Sequence, residues 1–502
     1  MNRNLTLGLV LAATVAQAEP LCGQTSDPTS QTQTVAQRPQ SSDSEDSPPS
    51  DMETDEGEDF STRMQAAEGE INMLRRGLQS GELQGGVIFP GRDPSGFQPF
   101  APRSGGPTTL PPASLSGFFQ ADTGFFHQDP ASLQSLGRIQ DGSDFRRARL
   151  TALGSIAENI NFLVEFDFAL IGHPTFRDVW MEVTQLPGIG AVRVGYFRQP
   201  FSLDALRSVR QLTFLERALP VNTFAPFRRT GVMAYHVNET ETFTWAAAVS
   251  RANTDPYGGD IAVAGGYSGT GRLTWLPYYD VLSEGRYYLH LGGGYEYTVP
   301  DYHQVRFRQS TEFFVGSQRT GGAVGTSGNA QPGPLDSTPL FVDTGTLNVY
   351  DYHLVGSELA GSWGSFNFQA EAMAVVAKQI GGPVLALPGA YAQVAYFLTG
   401  EHRPYNRPAG VLSAIKPFEN FFWLRGGQRG KGAWEVAARA SWIDLNSRNV
   451  QGGQLTDVTL GVNWYMHANA KLQFNYIHAF LDSPQRVESN TDIFAMRAQA
   501  AF

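Results

Sequence analysis

The sequence predicts an all-β protein, a transmembrane antiparallel β-barrel of roughly 14–18 strands, preceded by a disordered tail and a short helical segment. Three observations lead there. Residues 1–18 read as an export signal, which takes the chain out of the cytoplasm. From Ser114 onward the hydrophobic period is 2. The alternating segments meet at short turns, and the last of them closes on Phe502. Alternation alone also fits a soluble sandwich, whose strands have one buried and one wet face. Export, short turns and a terminal aromatic strand favour apolar residues facing lipid and polar residues facing a lumen.

The signal has Arg3 at its start, an apolar run from Leu5 to Val15, and the cleavage site Ala16-Gln17-Ala18. Cys22 is the only cysteine, so the chain has no disulfide framework. A lipid anchor there would follow the poor lipobox Glu19-Pro20-Leu21. Residues 19–59 are acidic, Ser/Thr/Pro-rich and almost free of large apolar side chains, a composition that cannot offset its ordering entropy. They hold most of the chain's formal charge of −11, which therefore says little about what the folded part binds.

Residues 60–84 change character. Phe60, Met64, Ala67, Ile71, Leu74 and Leu78 are spaced as an a/d seam, which reads as a short periplasmic coiled coil or a lone amphipathic helix. A Gly/Pro-rich linker fills 85–113, and the barrel domain is 114–502.

Within the barrel, Ile160, Phe162, Val164, Phe166 and Phe168 share one face and Asn161, Leu163, Glu165 and Asp167 the other. Segments 435–443, 459–465 and 492–502 alternate in the same way, with Glu435, Ala437, Arg439 and Ser441 opposite Trp442, and Ala495, Arg497 and Gln499 opposite Phe494. Turns are expected at 186–190, 362–365 and 466–469. The Gly/Thr/Pro-rich stretch 315–346 reads as a long extracellular loop.

One stretch breaks the pattern. Residues 193–229 begin as a strand and leave strand patterning until Thr230. They carry Arg193, Arg198, Arg207, Arg210, Arg217, Arg228 and Arg229 against only Asp204 and Glu216. A positive, non-strand insert among many strands predicts a constriction that attracts anions. Arg147 and Arg149 fall on the lumen face of the second strand by alternation and join the candidates. For each single arginine the alternative is a salt bridge to a lumen acid such as Glu165 or Asp167. Those two acids, spaced i, i+2, read as balancing charges rather than a catalytic pair.

The chain resembles the phosphate-selective porin O and P family. The resemblance rests on Phe145-Arg146-Arg147-Ala148-Arg149-Leu150, VGYFRQPFSLDAL at 194–206, LERA at 215–218, YFLTGEHRPY at 396–405, WEVAARASWIDLN at 434–446, the run 457–479 and DIFAMRAQAAF at 492–502. It implies a trimeric barrel of about 16 strands in the outer membrane of a Gram-negative-type envelope, passing small anions of the phosphate class. It implies that the segment after Phe197-Arg198-Gln199-Pro200-Phe201 folds inward. The family commonly has a lysine where Gln199 or Arg198 stands here. Its phosphate selectivity uses a lysine cluster and an arginine ladder, whereas this chain has only Lys378, Lys416, Lys431 and Lys471. Further partners expected are outer-membrane lipid and, through Phe502, the barrel-assembly machinery.

Guanidinium groups suit such a pore. They stay charged, and their planar fork matches an oxyanion. No cofactor, metal or nucleic acid is expected. Arg425–Gly432 lacks the first glycine and the Ser/Thr of a phosphate loop, and no HExxH or G-x-S-x-G motif occurs. An outer-membrane lipase would need a Ser/His pair that the spacing does not offer. The remaining alternative is a general or sugar-type porin with little anion preference, its tail tethering the barrel to another envelope layer.

Overall fold

A computed structural model describes residues 114–169, 174–252, 266–315, 338–421 and 430–502. The expected signal, acidic tail, coiled coil, linker and Cys22 lie outside the described residues. Sixteen long strands form the wall: β1 (Ser114–Gln128), β2 (Gly142–Ala157), β3 (Ile160–Asp167), β4 (Thr175–Leu186), β5 (Gly190–Arg198), β6 (Arg228–Val237), β7 (Phe243–Arg251) and β8 (Tyr267–Tyr279), then β9 (Tyr287–Val299), β10 (Leu347–Trp363), β11 (Phe366–Gln379), β12 (Val384–Phe397), β13 (Ala433–Ser447), β14 (Val450–His467), β15 (Ala470–Asp482) and β16 (Ser489–Ala501). Each pairs antiparallel with the next, and β1 pairs with both β2 and β16, so the sheet closes. Phe502 completes the seam through main-chain bonds of 2.9 Å in each direction with Gly117. Closure leaves no unpaired edge, the condition for crossing lipid with strands.

The alternation has the expected sense. On β3, Asn161, Leu163, Glu165 and Asp167 are buried inward, while Phe168 beyond its end is exposed. Outward aromatic side chains gather near the strand ends. Trp434 stacks on Trp464 at 5.2 Å there, while Tyr476 meets Phe494 at 5.1 Å in the middle of their strands. The turns fall at 187–189, 364–365 and 468–469, with Gly188 and Gly364 at positive φ.

β1 and β2 contain one irregularity that matters for the lumen. The register passes from Gln120↔Arg147 to Ala121↔Phe145, leaving Arg146 as the extra residue of a bulge. The same bulge turns Phe145 outside, exposed, edge-on to Phe119.

Among the described residues, parts of three connections enter the barrel. Residues 199–227, between β5 and β6, hold two short helices, Leu203–Leu206 and Leu219–Phe224. Residues 300–346 join β9 to β10. They were expected in part as an extracellular loop, but the described flanks turn inward: Phe307, Phe313, Phe314, Phe341 and Val342 are buried. The reason is apolar content on both sides of the Gly-rich centre, which packs against Phe224 (5.8 Å from Phe307) and Tyr352. The third connection, 398–432, leaves from the end that carries the short turns, so long loops are not confined to one side. Tyr405, Ala409, Val411 and Leu412 are buried with Leu203 and Leu206.

The largest apolar cluster is therefore inside the barrel, where Leu354, Val375, Leu387, Ile443 and Leu455 of the wall meet Phe201, Phe224 and Phe307 of the inserts. Phe201 occupies a niche made by the directly paired Gly294 and Gly356. A Cβ at either glycine would stand 2.7 Å from the ring. Phe201→Ala should cost about 3–5 kcal/mol, read as a lower urea midpoint for the barrel reconstituted in vesicles. An unchanged midpoint would mean that the insert does not depend on this seat.

Candidate functional site

The candidate site is the insert 199–227 and the wall it touches. The first helix of the insert, Leu203–Leu206, is too short to satisfy its own ends, and the surrounding side chains do so instead. At its start, Glu371 of β11 accepts from the Leu203 and Asp204 main-chain N–H groups (3.1 and 2.9 Å) and from the Tyr391 hydroxyl (2.6 Å). At its end, Arg198 donates to the carbonyls of Ala205 and Arg207 (2.5 and 2.8 Å). Arg217 donates to those of Asp204 and Arg207 (2.7 and 2.6 Å). Both guanidiniums are buried.

The eight predicted arginines divide into two groups. Four hold carboxylates. Arg147 meets Glu216 at 3.0 Å. Arg149 meets Asp167 at 2.9 Å and Glu165 at 3.1 Å. Arg228 meets Asp178 at 2.5 Å, and Arg229 meets Glu296 at 3.0 Å. For the other four the contacts among the described residues are of another kind. Arg198 and Arg217 bind the carbonyls just described, and Arg207 binds the Gln211 carbonyl. Arg210, half-buried, lies over the Phe118 ring at 5.5 Å. Burial, with the nearby charge of Arg403, brings the Arg207 guanidinium down to about 10, so it is still charged at neutral pH. Glu165 and Asp167, read as balancing charges, are indeed ion-paired.

Lumen cations outside the predicted set also surround the insert. Arg403 pairs with Glu435 at 2.5 Å and Arg439 with Glu312 at 2.5 Å. Lys471 donates to the Leu212 carbonyl at 3.0 Å. Arg497 binds Asp122 at 2.6 Å and Glu216 at 2.9 Å. Alternation already placed Arg439 and Arg497 on the inward face, and that signal could have found them. Arg146 could not be found in this way, because strict alternation sends it outward. The bulge turns it inward, where its Nε reaches Glu216 at 2.9 Å.

Glu216 is thus held by three guanidiniums, with side-chain exposures of 22% for Arg146, 5% for Arg147 and 0% for Arg497. Burial alone would raise its pKa, but these arginines outweigh burial and hold the carboxyl well below its usual range. Glu371→Gln would leave one of two capping oxygens and should destabilise the insert by about 1–3 kcal/mol. It should appear as added low-frequency noise in single-channel current. A trace as quiet as that of the unsubstituted protein would show that the cap does not hold the insert.

Comparison with known proteins comes to the following. Residues 116–502 match the family described as phosphate-selective porin O and P. An uncharacterized protein of Caulobacter vibrioides is 27% identical over 345 residues, covering 67% of this chain and 62% of that protein. Porin O of Pseudomonas aeruginosa is 26% identical over 419 residues, covering 77% of this chain and 88% of its own length. Among solved structures, in-vitro folded OmpT of Vibrio cholerae, in its trimer form, aligns with a TM-score of 0.45 at 13% identity, covering 78% of this chain and 99% of its own.

Proposed function

Because the chain belongs to the phosphate-selective porin O and P family, which matches residues 116–502, we propose that it is an outer-membrane porin through which small anions of the phosphate class diffuse passively. The constriction is the insert 199–227 with its neighbouring wall. One observation carries the reading. Arg207 and Arg217 donate to main-chain carbonyls, and among the described residues neither has an ion pair. A carbonyl satisfies the hydrogen bond but leaves the positive charge in place, so the insert keeps a field that draws anions in. Several weak partners suit conduction better than one tight site.

The alternative, a general or sugar-type porin with little selectivity, is favoured by the other half of the set. Arg147, Arg149, Arg228 and Arg229 are each matched by a carboxylate, and paired charges cancel at a distance. The same proposal includes export by the 1–18 signal, assembly as a homotrimer in outer-membrane lipid, and recognition of Phe502 by the barrel-assembly machinery. It also includes a spacing or tethering role for the acidic tail and the 60–84 segment.

The reversal potential of single channels under a KCl gradient tests the reading. Chloride preference, with block by added phosphate, is expected. Absence of preference, or preference for potassium, favours the general porin. Arg207→Gln should reduce the chloride preference. Replacing a matched pair together, Arg229→Gln with Glu296→Gln, should leave it unchanged. The opposite ranking would mean that the wall pairs, not the insert, set the field.

A further inference from the structure

We propose that Glu216 is a tethered stand-in for the permeating anion, occupying an oxyanion site formed by Arg146, Arg147 and Arg497 and setting how weakly that site holds its passenger. This rests on the anion-pore reading above and names a specificity-determining residue within it.

Three features support the proposal. The first is convergence. Arg146 and Arg147 come from β2 and Arg497 from β16, the two neighbours of β1, and all three direct guanidinium nitrogens at one carboxylate, at 2.9, 3.0 and 2.9 Å. Elsewhere among the described residues a carboxylate meets at most two guanidiniums, as Asp167 and Glu165 do. Here a bulge at Arg146 supplies the third arm from a position that ordinary alternation would turn to lipid. The second is attachment. Glu216 lies between the two helices of the insert and not on the wall, so the cations belong to one element and the anion to another. The third is access. Arg146 retains 22% side-chain exposure, while Arg147, Arg497 and Glu216 are buried. A solvated anion therefore meets the site at Arg146, whose guanidinium lies 4.5 Å from the Phe314 ring.

The chemistry of exchange is direct. A carboxylate and a phosphate present oxygen pairs of similar spacing to a guanidinium fork. Arg497 keeps Asp122 as a second partner, so the group of Arg146, Arg147, Arg497, Asp122 and Glu216 carries one net positive charge. Replacing Glu216 by a neutral residue would raise it to two. With its own carboxylate in place, the site offers an incoming anion competition, which shortens its stay. Without the carboxylate, three forks would close on the anion.

The experiment uses the full chain with Glu216→Gln in planar bilayers, with inorganic phosphate titrated against the chloride current. Removing one negative charge from contact with the site should lower the half-blocking phosphate concentration by about tenfold or more and raise the chloride-to-potassium permeability ratio. Adding Arg146→Gln to Glu216→Gln should return the half-block toward the original value. If Glu216 only fastens the insert to the wall, Glu216→Gln would instead raise conductance and lower selectivity, and the proposal fails. It also fails if block and permeability ratio are both unchanged. Correct assembly of each variant is checked by its migration on unheated gels and by its resistance to trypsin. A chloride-selective original pore whose block ignores Glu216 overturns this proposal alone. An original pore without anion preference overturns the anion reading along with it.

Discussion

A chain segment that crosses the inside of a barrel carries its main-chain polar groups away from bulk water, and each must find a partner. Much of this protein's interior follows from that constraint. The insert 199–227 has helices too short to satisfy themselves, so the wall and the insert's own arginines do the work. Glu371 caps one helix start, while Arg198 and Arg217 gather the carbonyls at its end. Gln473 and Lys471 reach the Leu212 carbonyl from β15, and Asn463 reaches Thr213 from β14. The polar residues on the lumen face are therefore not only a wet lining. They are ligands for a second layer of chain.

The same constraint explains why the inserts arrive together. Phe224 of the first meets Phe307 of the second, and Tyr405 and Leu412 of the third pack with Leu203 and Leu206. Each insert covers apolar surface that another would leave wet. Glu312 of the second insert pairs with Arg439 of the wall, which also donates to the Glu216 carbonyl of the first at 3.0 Å. Arg439 thus joins two inserts, through a charge on one and a carbonyl on the other.

How much of this was legible follows from what alternation can and cannot say. Period 2 assigns a face to each wall residue, and it placed Arg147, Arg149, Glu165, Asp167, Arg439 and Arg497 correctly. It fails wherever the register slips, and the bulge at Arg146 is the case that mattered most for the site. The insert at 199–227 was visible because its charge breaks a near-neutral background. The inward path of 300–315 and 398–412 was not visible. Both lie between strands without a strand's alternation, one opening on Pro300 and the other carrying Gly400, Pro404, Pro408 and Gly410, and only the cavity they enter gives Phe307 or Tyr405 something to pack on. The division of the arginines between carboxylates and carbonyls was also out of reach, because spacing does not say which partner a folded side chain meets: Arg207 finds the Gln211 carbonyl 4 residues on, and Arg147 finds Glu216 69 residues on.

On the anion-pore reading, that division determines where the pore's field comes from. A carboxylate partner satisfies a guanidinium's hydrogen bonds and cancels its charge. A carbonyl does only the first. The wall is built chiefly of the former kind, which fixes its side chains and costs little in self-repulsion. The insert is built of the latter, so Arg207 and Arg217 are held in place by neutral groups and keep their charge. Glu216 is the carboxylate that the insert contributes to the wall, and it sits where three guanidiniums would otherwise have only Asp122 to offset them. A lumen whose every arginine were paired would fold readily and attract nothing, and one with none paired would repel itself and trap any anion that entered. The arrangement seen here lies between those limits: the wall supplies rigidity, the insert supplies the field, and one carboxylate stands where the two meet.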